Sequence, residues 1–253
     1  MGELDRRTAV ITGASRGIGL AIGRALAGQG ARAVLVSRNA QRLEAARDSI
    51  REAGGLAEAL PADIDDPRWL ARLDELASEV DVLVNNAAAF ASYGPVETVA
   101  QGEIERVLAT TLGSALRLTR HVLPGMKARG FGRIVNIGSV AGSLGAAGQV
   151  AYSSAKAGLA GMTVSVAIEC ARRGVTCNML ALGLIRTERV EEAIAPEVRA
   201  HLVRNTPLGR PGTPAEVAHA AAFLASPRAA FITGAVLPVS GGLGLGLYPE
   251  QLG

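Results

Sequence analysis

Tyr152 and Lys156 stand four residues apart in an apolar, alanine-rich run, 151–171, that reads as a helix. Residues at i and i+4 share a helix face, which makes the phenol and the ammonium neighbours. A tyrosine ordinarily titrates at about 10, and a cation within about 4–6 Å favours its phenolate. A phenol tuned in this way can give a proton to a carbonyl oxygen or take one from an alcohol. Ser139 lies upstream, just past the apolar stretch 133–137 (RIVNI), so it can sit at a strand end facing the helix start with its hydroxyl on the same oxygen. Taken alone, Tyr-x-x-x-Lys is more often an ordinary helix pair, and the rest of the chain has to decide.

The elements that must position these groups begin at the N-terminus. An apolar strand, 8–12, runs into Gly13-Ala14-Ser15-Arg16-Gly17-Ile18-Gly19 and then into a helical pattern ending near Gly30. Strand, glycine turn and helix together let a pyrophosphate approach the amides of a helix N-terminus; a glycine turn serving only helix–strand packing is the weaker reading. The second strand, 33–37, ends in Ser37-Arg38-Asn39 with no acid from 33 to 43. An acid there would bind the ribose of NAD, whereas an arginine receives the 2′-phosphate of NADP. Arg38, with Arg16 as a second cation, therefore predicts NADP(H).

Further along, a helix over 40–53 and a strand over 57–62 lead to Asp63 and Ile64, and Asp66-Pro67 opens a helix to about 78 carrying Trp69. A fourth strand, 82–84, precedes Asn85-Asn86-Ala87-Ala88, either turn residues or groups that bind a cofactor and fix the sheet edge. A long helix is expected over 100–128, with an irregularity at Gly125. Strand 175–181 follows the Tyr152 helix. A polar segment, 186–210, is the natural lid. Thr213-Pro214-Ala215-Glu216 is an N-cap signature for a helix to about 225, and strand 235–239 ends the pattern. The tail, 243–253, is expected to pack on a neighbour or fray. Alternating strands and helices predict an α/β fold with a doubly wound parallel sheet. The expected organisation is one domain over 1–253, with a cofactor half to about 138 and a catalytic half beyond it.

The 253 residues are 49% hydrophobic and 19% charged with net charge +3, too slight and too dispersed a positive balance to favour nucleic acid. Cys170 and Cys177 make no disulfide framework. No apolar run approaches a membrane span, the first residues, MGELDRRTAV, lack the long apolar core of a signal peptide, and no metal cluster stands out. A cytoplasmic enzyme is the simple expectation. The nearly all-apolar helix 151–171 is expected to be buried on more than one side, by the sheet and by a second subunit. Lys127, Arg129, Arg133, Arg172 and Arg173 are expected either to form a cluster near the active-site mouth that attracts an acidic carrier protein or to complement helix dipoles at their C-termini.

These motifs together resemble the short-chain dehydrogenase/reductase family, from Thr8 to Gly242: Thr12-Gly13-x-x-x-Gly17-x-Gly19, Asn85-Asn86-Ala87, Ser139, Tyr152-x-x-x-Lys156 and Asn178. Within it, GRIVNIGSV (132–140), GQVAYSSAKAG (148–158) and GRPGTPAEVA (209–218) are most similar to 3-oxoacyl-(acyl-carrier-protein) reductases. The resemblance implies a seven-stranded Rossmann sheet, hydride transfer to or from a carbonyl carbon, and a homotetramer. It implies that Ser139 polarises the carbonyl, Tyr152 donates the proton, and Lys156 holds the nicotinamide ribose and lowers the phenol's pKa. By the same resemblance Gly13, Ser15, Arg16, Gly17, Ile18, Gly19, Ser37, Arg38, Asp63, Ile64, Asn85, Ala87, Gly183, Ile185 and Thr187 contact the cofactor. Thr111 stands where the family has a catalytic Asn on the long helix, and is expected to keep that helix more regular. Leu182, Ala88 and Ser240 depart from the family's Pro, Gly and Asp. The implied activity is NADPH-dependent reduction of a ketone, a 3-oxoacyl thioester on acyl carrier protein or a related small molecule. Oxidation of a secondary alcohol, and cofactor binding with little turnover, are the alternatives.

Overall fold

The structure is a computed structural model and describes residues 2–245; most of the tail lies outside the described residues. Seven strands form one sheet: β1 (Thr8–Thr12), β2 (Arg32–Ser37), β3 (Leu56–Pro61), β4 (Val82–Asn85), β5 (Gly132–Ile137), β6 (Val175–Leu182) and β7 (Val236–Val239). All pairings are parallel, in the order β3-β2-β1-β4-β5-β6-β7. The order reverses between β1 and β4, where a doubly wound sheet opens a crevice at its C-terminal edge. The helices are α1 (Gly17–Gly28), α2 (Ala40–Glu52), α3 (Trp69–Leu76), α4 (Gln101–Leu108), α5 (Ser114–Arg129), α6 (Ala141–Leu144), α7 (Val150–Cys170), α8 (Glu188–Ala193), α9 (Pro196–Arg204) and α10 (Pro214–Ala225). Thr213 and Glu216 close the expected capping box on α10.

The strands are apolar on both faces because helices cover both. Side chains alternate along a strand. Ala9, Ile11, Leu35, Val82, Val84 and Val135 therefore pack with α1, α2 and α10, while Val10, Val34, Leu83 and Ile134 pack with α3, α5 and α7. The same period sends Asn85 and Asn136, paired in register, to the α5–α7 face. There Asn85 Nδ2 donates to Asn136 Oδ1 (2.8 Å) and Thr119 Oγ1 (3.3 Å), and Asn136 Nδ2 donates to Thr163 Oγ1 (2.9 Å). Asn136 and Thr163 have no exposed surface. The network joins β4 and β5 to both helices.

Two expectations fail here. The long helix is interrupted not at Gly125 but by a π-helical turn, Ala109–Gly113, between α4 and α5. Lys127 and Arg129 end α5, and Arg172 and Arg173 precede β6, so they lie at the N-terminal edge of the sheet, opposite the edge from which Ser139 emerges. Arg133 is buried and bonded to the carbonyls of Gly132, Gly174 and Ser226, and Arg129 bonds Val80 O and faces Asp81. On a single chain, these cations do not gather at the active-site mouth.

Replacing Asn136 by Ala takes a hydrogen-bond partner from buried Asn85, Thr163 and Cys177, a loss of roughly 1–3 kcal/mol. Urea unfolding of Asn136→Ala should show a loss of that order; an unchanged midpoint would contradict the network's role.

Candidate active site

Because every strand points the same way, Gly13, Ser37, Asp63, Asn86, Ser139 and Gly183 all emerge at one edge of the sheet. A single hydroxyl organises its centre. Thr12 Oγ1 accepts from the amides of Asn86 and Ala87, both at 3.0 Å. Asn86 Nδ2 donates back to Thr12 O (2.8 Å) and Gly13 O (3.2 Å). The glycine turn is thereby tied to the end of β4. Gly13 has φ +65°, and a Cβ there would lie 2.9 Å from Asn86 Nδ2. A Cβ on Gly19 would lie 2.5 Å from Gly13 O.

The residues present fit a dinucleotide. The N-terminus of α1 has no side-chain cap and no acid in its first turn, leaving its amides and dipole for an anion. Gly17, at φ +58°, lies under Thr187, whose Cγ2 is 3.6 Å from the place a Cβ would take. Ser37 Oγ donates to Ser15 Oγ at 3.1 Å, joining the glycine turn to the end of β2, where Arg38 is exposed and makes no ion pair among the described residues. Arg16 departs from expectation: its guanidinium bonds Glu188 (2.9 Å) and lies 3.6 Å from Glu192, both on α8, so it ties the glycine turn to the lid. The Asn85 side chain is spent in the core network, and Ala87 gives its amide to Thr12. Asp63 is exposed beyond β3, with Ile64 buried beside it. Ile18 packs on the core. Gly183 has no room for a Cβ, which would lie 2.8 Å from Ser240 Cα. Ile185 is buried and bridges Gly212. The Thr187 side chain accepts from Val190 N as the cap of α8.

Ser139, Tyr152 and Lys156 come together beyond β5. Lys156 is 3% exposed, and its Nζ donates to Ile137 O at 2.6 Å. Burial pulls its ammonium down to about 7, with Arg189 adding to the fall. Burial pushes the Tyr152 phenol up, against a hydrogen bond with Ser139 and the charge of Arg189. Lys156 Nζ is 5.6 Å from the Tyr152 ring centroid. In the free protein a lysine at about 7 is only partly charged near neutrality, and the cation opposing the phenol's rise is Arg189. Thr111 is buried in the π-helical turn, and its Oγ1 accepts from Ala89 N at 3.1 Å. The helix break is present with Thr in place, contrary to the expectation of a more regular helix.

Phe90 and Arg189 were not singled out from the sequence. Phe90 stacks on Tyr152 at 4.5 Å between centroids, 16° from parallel, and Arg189 sits over Phe90 at 4.3 Å. Phe90 lies two residues past the asparagine turn and Arg189 lies in the lid, which is the signal available in the chain. No group of His, Cys, Asp and Glu suited to a metal occurs among the described residues, and no helix among them is long and apolar enough to cross a membrane.

A family model described as enoyl-(acyl carrier protein) reductase matches residues 13–244. A 3-oxoacyl-(acyl-carrier-protein) reductase of Vibrio cholerae is 40% identical over 245 residues, 95% of this chain and 98% of the relative. A cis-4-hydroxycyclohexanecarboxylate dehydrogenase of Sinomonas cyclohexanicum is 39% identical, covering 96% of this chain and 98% of that one. A solved structure described as an NAD(P)-dependent gluconate 5-dehydrogenase of Beutenbergia cavernae, with bound NADP, superposes with TM-score 0.89 and 38% identity over 95% of this chain and 97% of that chain.

The depressed lysine has a consequence for stability. Between about 7 and the ordinary value of 10.5, the unfolded chain holds a proton that the folded protein lacks, so stability rises with pH through that window; below it the burial penalty stands in full. Cofactor-free Lys156→Met should be more stable than the parent at about pH 6, by on the order of a few kcal/mol. Its advantage should shrink as the pH rises. Urea unfolding across pH checks this; an advantage independent of pH would contradict it.

Proposed function

The chain belongs to the short-chain dehydrogenase/reductase family, and from that premise we propose that it is an NADPH-dependent oxidoreductase that reduces a ketone to a secondary alcohol. The ketone is a 3-oxoacyl thioester on acyl carrier protein, as in fatty-acid or polyketide-type biosynthesis, or a related small molecule. The observation that carries this reading is the meeting of Ser139, Tyr152 and Lys156 beside a glycine cleft with an uncapped helix N-terminus.

Gly13, Gly17 and the first amides of α1 would hold the pyrophosphate, with Ser15, Ser37 and Arg38 around the 2′-phosphate and Thr187 over the far end. The bound nicotinamide supplies the hydride. Ser139 would hold the carbonyl oxygen by a hydrogen bond, which orients it and draws electron density away from carbon. Tyr152 would deliver a proton to that oxygen as charge develops on it. Lys156, seated on Ile137 O, would hold the ribose hydroxyls and supply positive charge near the phenol. The π-helical turn at Thr111 leaves main-chain groups outside the regular ladder, where a proton path to Lys156 would run. Residues 186–210 form the lid.

Oxidation of a secondary alcohol uses the same groups in reverse, and two of the relatives are described as dehydrogenases. Outward apolar side chains on α7 (Val164, Ile168) and α5 (Leu116) support a homotetramer paired through these helices, and a cytoplasmic location accords with the reading.

Mixing the protein with NADPH and a panel of ketones, and following loss of the reduced nicotinamide's absorbance, tests the activity. Tyr152→Phe should lower kcat by about 10²- to 10⁴-fold with NADPH still bound; near-normal turnover would refute the mechanism. Arg38→Asp should shift the NADPH-to-NADH preference by roughly tenfold or more, one charge-assisted contact being worth about 1.5–3 kcal/mol. An unchanged preference would remove Arg38 from the phosphate site.

A further inference from the structure

We propose that Arg189 is a specificity-determining residue that pairs with a carboxylate on a compact substrate, so that a keto acid is reduced in preference to the neutral ketone of the same shape. This deepens the proposed reduction and rests on it. Arg189 lies in the first turn of α8 (Glu188–Ala193). Its guanidinium is held 4.3 Å over the Phe90 ring, which itself stacks 4.5 Å from the Tyr152 ring. Its Nη1 donates to Ala88 O at 3.1 Å. One ring contact and one carbonyl thus hold a cation one layer away from the phenol that is to protonate the substrate.

That cation has no anion of its own. The acids beside it on α8, Glu188 and Glu192, are turned to Arg16, and Arg189 makes no ion pair among the described residues. A guanidinium carries five N–H donors, and the Ala88 carbonyl takes one. Burial disfavours its charge most, Arg16, Arg38 and Arg106 act against it too, and Tyr152 favours it. A planar fork with unspent donors, in a cationic setting, matches a carboxylate bidentately. Because the guanidinium is only two stacked contacts from the Tyr152 ring, the anion must lie a few bonds from the reacting carbonyl. That separates a carboxylate on the substrate's own short skeleton from the phosphate of a carrier protein's long prosthetic arm. Phe90 offers an apolar wall to the skeleton between them.

The test compares 4-oxocyclohexanecarboxylate with its methyl ester, and a 3-oxoacyl phosphopantetheine with the matching pantetheine thioester, in the parent, Arg189→Met and Arg189→Lys. The acid should exceed its ester in kcat/KM for the parent. The acid-to-ester ratio should fall roughly 10- to 100-fold in Arg189→Met, the worth of one charge-assisted pair, and recover in part in Arg189→Lys. A ratio unmoved by Arg189→Met would overturn the proposal. So would a change confined to the phosphopantetheine pair, which would make the carrier arm's phosphate the partner. If no ketone is turned over, the proposed reduction fails separately. Calorimetric binding of cyclohexanecarboxylate to the NADP-loaded protein then decides: binding weakened in Arg189→Met supports the pairing, and equal binding in both proteins overturns it.

Discussion

Lys156 places an ammonium in the protein interior with one main-chain carbonyl as its hydrogen-bond partner. Burying a charge without a counter-ion is unfavourable, and the free protein answers by giving up part of that charge, with the lysine drawn down to about 7. Tyr152, a helical turn away, meets the opposite consequence of the same burial, since its neutral form is favoured. In the free protein the two groups are therefore less charged than their ordinary chemistry would make them. Ser139 and Arg189 are the residues that push the phenol back, one through a hydrogen bond and the other through charge.

Holding that pair beside a cofactor cleft requires a stiff frame, and the frame is made by a few polar groups inside an apolar sheet. Thr12 and Asn86 join the end of β1 to the end of β4 through four hydrogen bonds at the point where the strand order reverses. One layer below, Asn85 and Asn136 pair across β4 and β5 and reach Thr119 on α5 and Thr163 on α7. Adjacent asparagines in the sequence thus serve opposite sides of the structure. Asn86 lies beyond the strand and turns to the cleft, while Asn85 is still within the strand and obeys its alternation.

That division marks how far the sequence could be read. All seven strands, the glycine turn, the capping box at Thr213 and the helix carrying Tyr152 and Lys156 are legible because each rests on local pattern: alternation, apolar runs, caps and spacing. What local pattern cannot supply is the partner across space. Arg16 reads as a phosphate ligand, yet Glu188 and Glu192 lie far along the chain and take its guanidinium. Arg133 reads as a surface cation, but a central parallel strand buries it among carbonyls. Thr111 reads as a stiff residue favouring a regular helix. Its hydroxyl instead satisfies the amide of Ala89 from another segment, and the π-helical turn stands. Phe90 and Arg189 carry no motif at all and become visible only when ring is laid on ring.

The electrostatic core of the account is a phenol raised by burial and brought down by charge, and the titration of Tyr152 tests it most directly. In protein labelled with 13C at the tyrosine ζ carbon, the Tyr152 resonance is identified by its loss in Tyr152→Phe and followed with pH, first alone and then with oxidised cofactor bound. The account predicts that Tyr152 titrates above the ordinary tyrosine value of about 10 in the free protein, higher still in Arg189→Met, and lower once the cationic nicotinamide is in place. A free-protein titration at or below that ordinary value, unmoved by Arg189→Met, would contradict it.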